Sequence, residues 1–127
     1  CALVDCAVGQ LFSVELIDND GNNLITNNTY AISEISITTN ESKIDLIPFN
    51  SNDFLNFIVE NKSGESIYTI RFSESEIDTL NLNLVELNQT SVCCGPYYAV
   101  QSATYNGADH EILPNENDDF FKITVVK

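Results

Sequence analysis

Leu80-Asn81-Leu82-Asn83-Leu84-Val85 is the stretch whose reading decides the fold. Its leucines fall on every second residue with asparagines between them. That period puts one apolar and one polar face on an extended chain and suits no helix. The same alternation recurs on either side. Phe12, Val14 and Leu16 share a face opposite Ser13 and Glu15; Tyr68, Ile70 and Phe72 alternate with Thr69 and Arg71; Phe121, Ile123 and Val125 alternate with Lys122 and Thr124. Each reads as a strand with one wet and one dry face. Weaker candidates are Ala31 to Thr38, Ile44 to Ile47, Phe54 to Val59, Tyr98 to Tyr105, and Glu111 to Leu113.

Turn signals separate these segments: Asp20-Gly21, Asn50 to Asp53, Ser63-Gly64, Cys94-Gly95-Pro96 and Asn106-Gly107. Asn106-Gly107 predicts a two-residue type I′ hairpin, because both residues tolerate positive φ. Glu74 to Asp78 is the one stretch where a helical turn fits. Seven to nine short strands at near-regular spacing predict an all-β chain, a single antiparallel β-sandwich of immunoglobulin-like type. No repeat or linker divides it. Residues 1–10 lack periodicity and read as an N-terminal leader or tether, or as a first strand held by Cys6; residues 11–127 read as the sandwich.

The 127 residues are one domain's worth and are expected to bury roughly two-thirds of the unfolded surface. Five Lys and Arg against 19 Asp and Glu leave a net charge of −14. That excludes a nucleic-acid binder working through counterion release, which needs cations along the phosphates. No apolar run approaches the roughly 18 to 20 residues that span a bilayer as a helix.

The sequence opens on Cys1, has no Met, and shows no apolar or basic leader before that cysteine. A mature chain starting on cysteine is expected of a bacterial lipoprotein, cleaved just before the residue that carries the lipid. With Cys1 spent on lipid, Cys6, Cys93 and Cys94 leave one bridge and one thiol. A vicinal Cys93–Cys94 bridge is strained, since Cα atoms across a trans peptide lie about 3.8 Å apart, short of the usual disulfide range. Cys6 with Cys93 or Cys94 is therefore the expected pair. A zinc site is not expected: adjacent cysteines on a strand point to opposite faces, and His110 is the sole histidine.

Asp18, Asp20 and Asn22 place oxygen ligands at alternate positions, as a calcium loop does. The pattern departs from the EF-hand: the glycine comes fourth, and Thr29 stands where a bidentate Glu belongs. The acidic run Asn115 to Asp119 is a second, weaker calcium candidate. Catalysis is not expected. A Ser or Cys nucleophile needs an adjacent base, and nothing in the sequence brings Cys94 to His110. Tyr97, Tyr98 and Tyr105 cluster around the Cys-Cys-Gly-Pro turn, where tyrosines stack sugars or pack against a protein, although Trp is absent. Asn27, Asn40, Asn61 and Asn88 open Asn-x-Ser/Thr triplets that matter only in a eukaryotic secretory pathway.

Cys1, Cys6, Asp20-Gly21-Asn22-Asn23-Leu24, Asp78-Thr79-Leu80, Cys93-Cys94-Gly95 and Tyr105-Asn106-Gly107 together resemble the small cell-envelope lipoproteins of Bacteroidetes-type bacteria, many without an assigned function. The resemblance spans most of the chain through short motifs, of which the Cys-Cys-Gly and Asn-Gly pair is distinctive. It implies an extracytoplasmic β-sandwich, lipid-anchored at Cys1 to the outer membrane, and carries over no catalytic or binding residue. The resulting expectation is a non-catalytic monomer with a binding or structural role toward a protein or glycan at the cell surface. It has no cofactor and no nucleic-acid partner, and touches the membrane only through the Cys1 lipid. A calcium-stabilised adhesion or carbohydrate-binding module is the alternative.

Overall fold

A computed structural model describes residues 10–47, 53–88, 93–114 and 121–127. Among these, ten strands form two sheets. They are β1 (Leu11–Ile17), β2 (Ser36–Thr39), β3 (Ser42–Ile44), β4 (Leu55–Ile58), β5 (Gly64–Arg71), β6 (Ile77–Leu87), β7 (Tyr97–Tyr105), β8 (Ala108–His110), β9 (Leu113–Pro114) and β10 (Phe121–Val126). One sheet has the order β4-β1-β10-β9 and the other β3-β2-β5-β6-β7-β8. The period-two faces of the strands meet between them, giving the expected all-β sandwich.

The dry faces supply the core. Phe12, Val14, Leu16, Leu55, Phe57, Ile123 and Val125 of the first sheet meet Ile37, Tyr68, Ile70, Leu80, Leu82 and Leu84 of the second, all buried. Phe57 ties the layers together. Its ring lies 6.0 Å from Phe12, edge-on, and 5.0 Å from Tyr68 of the opposite sheet. The Tyr68 hydroxyl, otherwise stranded in the core, accepts the Glu60 backbone N–H at 3.1 Å.

Pairing is not antiparallel throughout. β1 and β10 run parallel, with Phe12 opposite Phe121 and Leu16 opposite Val125. Parallel neighbours need a long crossover, and here all the intervening strands supply it. The second face of β1 is not wet either: Ser13 is fully buried, and its hydroxyl donates to Asn56 Oδ1 of β4 at 2.6 Å. A short hydroxyl matched to an amide lets a central strand bury both faces.

Other segments shift for local reasons. Ala31 to Thr38 divides into a 3-10 turn at Ile32–Glu34 and β2. β3 begins earlier than Ile44, because Asn40 (φ 49°) and Glu41 (φ 67°) form a two-residue hairpin pairing Thr39 with Ser42. No glycine advertises that turn. Glu74 to Asp78 is not helical: Ser73 Oγ accepts the Glu76 N–H at 3.0 Å, closing the β5–β6 loop, and Asp78 already lies in β6. Glu111 to Leu113 is where the chain crosses between sheets, from β8 to β9. Asn106-Gly107 is the expected type I′ turn, with φ of 49° and 83°. Gln10 is built into the domain: its side-chain oxygen accepts the Val100 N–H at 2.6 Å and its carbonyl accepts Val59 N–H at 3.0 Å. The rest of the expected leader lies outside the described residues.

Replacing Phe57 with Ala removes the ring that both sheets share. The expected loss is about 3–5 kcal/mol of unfolding free energy, read as a lower denaturant midpoint with an unchanged slope.

Candidate functional site

One end of the sandwich gathers polar and charged side chains around a buried carboxylate. Asp78 shares the inward phase of β6 with Leu80, Leu82 and Leu84, so strand geometry drives a carboxylate onto the dry face. It is 7% exposed, and a charge there survives only if donors surround it. They do. The Tyr105 hydroxyl donates to Oδ2 at 2.6 Å, Asn106 Nδ2 to Oδ1 at 3.1 Å, and the Lys127 ammonium to Oδ2. The same ammonium lies 2.8 Å from Glu76 Oε2, which also receives the Tyr30 hydroxyl at 2.5 Å.

Each partner arrives by a different route. Tyr105 is brought by register, standing opposite Leu80 at the end of β7. Asn106 is fixed by the turn: its backbone N–H donates to Thr79 O and its Oδ1 accepts Thr79 N–H, both at 2.8 Å. Lys127 follows β10, its own N–H held by Ile17 O at 2.8 Å. Aromatic rings wall the ammonium, Phe72 at 4.1 Å and Tyr30 at 5.6 Å from their centroids. A cleft of about 450 Å³ opens on the cluster, with His110 and Val126 also on its rim.

The electrostatics commit these groups to one another. Burial pushes the Asp78 carboxyl up, but the bonds from Lys127, Tyr105 and Asn106 outweigh it and hold the group below its ordinary 3.8. The Lys127 bond, then that of Tyr30, lowers Glu76. Burial, reinforced by the neighbouring carboxylates, raises both Tyr30 and Tyr105 far above the ordinary phenol value. Both acids are therefore ionised and both phenols protonated at neutral pH. No Ser, Thr or Cys is among the described residues lining the cleft.

The residues singled out from the sequence scatter. Asp18 Oδ1 accepts the backbone N–H groups of Asp20 and Asn22, both at 2.9 Å, and Oδ2 accepts Asn22 Nδ2 at 3.2 Å. The backbone bond from Asn22 is the main cause lowering its carboxyl. This is a self-closed turn in which two of the three expected calcium ligands bond each other. Among the described residues no group of three or more His, Cys, Asp and Glu is placed to hold a metal. Asn115 to Asp119, Cys1 and Cys6 lie outside the described residues. Cys93 and Cys94 lie just before β7, and neither is a free thiol, so the single thiol expected beside a Cys6 bridge to one of them is not found there. His110 stands opposite Ala103, near the other end of that strand from Cys94, so the two do not meet. The tyrosines divide: Tyr105 is buried in the cluster, while Tyr97 and Tyr98 are half-buried.

Tyr30, Glu76 and Lys127 carry no motif. Asp78 does carry a signal, its apolar-face parity, and so does Asn106, whose turn places its amide beside that carboxylate.

A second polar surface covers the outer face of the six-stranded sheet. Glu65, Asn83 and Ser102 stand in one cross-strand row, and Asn81 and Thr104 in the next. They line a groove of about 340 Å³. Asn81 Nδ2 donates to Glu65 Oε2 at 2.9 Å and Asn83 Nδ2 to Gln101 Oε1 at 3.3 Å. Gln101 is the extra residue of a bulge in β7.

Comparison with protein-family models, curated proteins and solved structures found no match.

The raised tyrosines set a sign for alkaline stability. A group with an elevated folded pKa stabilises fully below its ordinary value, here 10.0, and loses that contribution as pH rises beyond it. Stability is expected to fall above about pH 10, and less steeply in Tyr105→Phe. The same variant, measured by denaturation at neutral pH, is expected to lose about 1–3 kcal/mol because buried Asp78 loses a donor.

Proposed function

We propose that this chain is a non-catalytic, immunoglobulin-like β-sandwich domain of the bacterial cell envelope, extracytoplasmic, anchored through lipid on Cys1, with a structural or binding role. The observation that carries the non-catalytic reading is the inward commitment of the end cluster. Its two carboxylates, its ammonium and its two phenols bond one another. Among the described residues lining the cleft there is no Ser, Thr or Cys to attack a bound substrate, and the polar groups of the cluster are held by one another. The net charge of −14 keeps such a domain dispersed and repels anionic headgroups, so lipid on Cys1 supplies the membrane attachment.

A second reading, a carbohydrate-binding module, rests on the outer groove. Glu65, Asn81, Asn83, Ser102 and Thr104 offer amides, hydroxyls and a carboxylate on one open sheet face, the donor and acceptor mix that sugar hydroxyls match. Envelope glycans titrated by calorimetry are expected to show weaker binding to Asn81→Ala and Asn83→Ala if that face is the site. Equal affinity for wild type and both variants retires it. A calcium-stabilised version adds a rise in melting temperature at millimolar calcium, because a ligand of the folded state stabilises by mass action. No rise removes the calcium.

The anchor is tested by intact-mass spectrometry of the protein recovered from native membranes, before and after reduction. Diacyl or triacyl increments on Cys1, with a gain of hydrogens on reduction, are the expected result. A Cys1 without lipid, or one engaged in a disulfide, retires the lipoprotein assignment.

A further inference from the structure

The Lys127 ammonium has two carboxylates where one would neutralise it. It contacts Asp78 Oδ2 and lies 2.8 Å from Glu76 Oε2. The first pair is enclosed, with the Lys127 and Asp78 side chains 12% and 9% exposed, and Phe72 covers the ammonium at 4.1 Å. Glu76 is 40% exposed and opens to the cleft. Lys122 is the internal contrast. It pairs at 3.0 Å with one carboxylate, Glu15, on the neighbouring strand, and both side chains are about twice as exposed.

We propose that Lys127 and Asp78 condense into an intramolecular amide, with Glu76 carrying the proton that the reaction must move. Within the contact the ammonium passes one proton to Asp78 Oδ2, giving a neutral amine and a neutral acid without exchange with solvent. Burial of the contact, with Phe72 over the ammonium, lowers the penalty of that neutral pair relative to the ion pair. The Nζ lone pair then attacks Asp78 Cγ. The C–N bond forms and charge develops on Oδ1, where Asn106 Nδ2 already donates at 3.1 Å. Glu76 takes a second proton from the nitrogen and returns it to Oδ2. The Cγ–Oδ2 bond breaks and water leaves through the cleft. Nζ has given up two protons and Oδ2 has gained both. Nothing is oxidised or reduced and no co-reactant is needed. Fixed contact between amine and carboxyl supplies the effective concentration that drives the condensation.

The product joins residues 49 apart in sequence, the start of β6 in one sheet and the residue following β10 in the other. It is a covalent staple across the sandwich, closing a long loop that otherwise opens on unfolding.

Mass spectrometry of the full chain, reduced and proteolysed, tests this directly. A lipid on Cys1 does not enter, because only the fragments carrying Asp78 and Lys127 are read. The expected result is one branched peptide joining the two, lighter by one water than their sum. Lys122→Arg retains that peptide. Lys127→Arg abolishes it, and Glu76→Gln leaves the two fragments separate in a folded chain. Separate fragments of full mass from the wild type overturn the proposal, and so does a lost water that maps elsewhere. A Glu76→Gln chain linked as completely as wild type overturns the role given to Glu76. In the linked protein Asp78 no longer titrates. Acid unfolding of the wild type is then shallower than that of Lys127→Arg, whose free Asp78 is protonated as pH falls through and below its ordinary 3.8.

Discussion

A carboxylate in phase with leucines sets the terms for one whole end of this molecule. Asp78 cannot leave the dry face of β6 without slipping the strand by a residue and turning Leu80, Leu82 and Leu84 to solvent. Its charge must therefore be met where it stands. Three elements converge to meet it: the end of β7 with Tyr105, the turn with Asn106, and the residue after β10 with Lys127. Those contacts tie the residue after β10 of the first sheet to the start of β6 and the end of β7 in the second. Packing of Phe12, Phe57 and Tyr68 holds the layers together at their middle, but apolar surface has no direction. The buried charge supplies the direction.

The same logic recurs on a smaller scale. Glu60 gathers the hydroxyls of Thr39 and Ser66 and the amide of Asn40, tying the β2–β3 turn to β5. Ser13 and Asn56 satisfy each other between β1 and β4. Among the described residues no buried side-chain nitrogen or oxygen lacks a partner. In a sandwich built from short strands, such pairs specify register where hydrophobic alternation alone would tolerate a slip of two.

The strands with strict alternation were legible because burial on one side of a pleat leaves a period of two in the sequence, as in Leu80 to Leu84. What escaped has physical causes as well. The Asn40-Glu41 turn uses αL geometry at a glutamate, which composition does not announce. The parallel pairing of β1 with β10 depends on which strands meet, and that is decided by total burial across all of them. The end cluster joins residues from 30 to 127, a separation no local motif spans, so only the parity of Asp78 hinted at it. The Asp18 loop is ambiguous for the opposite reason. Oxygen-rich turns and cation loops share a composition, and the structure adds only that Asp18 Oδ1 accepts the loop's own N–H groups.

The parallel alignment of β1 and β10 bears on how the fold carries tension. The two strands pair over six consecutive positions, from Phe12 with Phe121 to Ile17 with Val126, so the start of β1 and the end of β10 emerge at opposite ends of the sandwich. A pull applied between those points runs along the strands and loads the ladder in shear. All its hydrogen bonds must then yield together, where an antiparallel pair pulled from one end would unzip them in succession. The arrangement resists stretching along that axis and yields more easily across it.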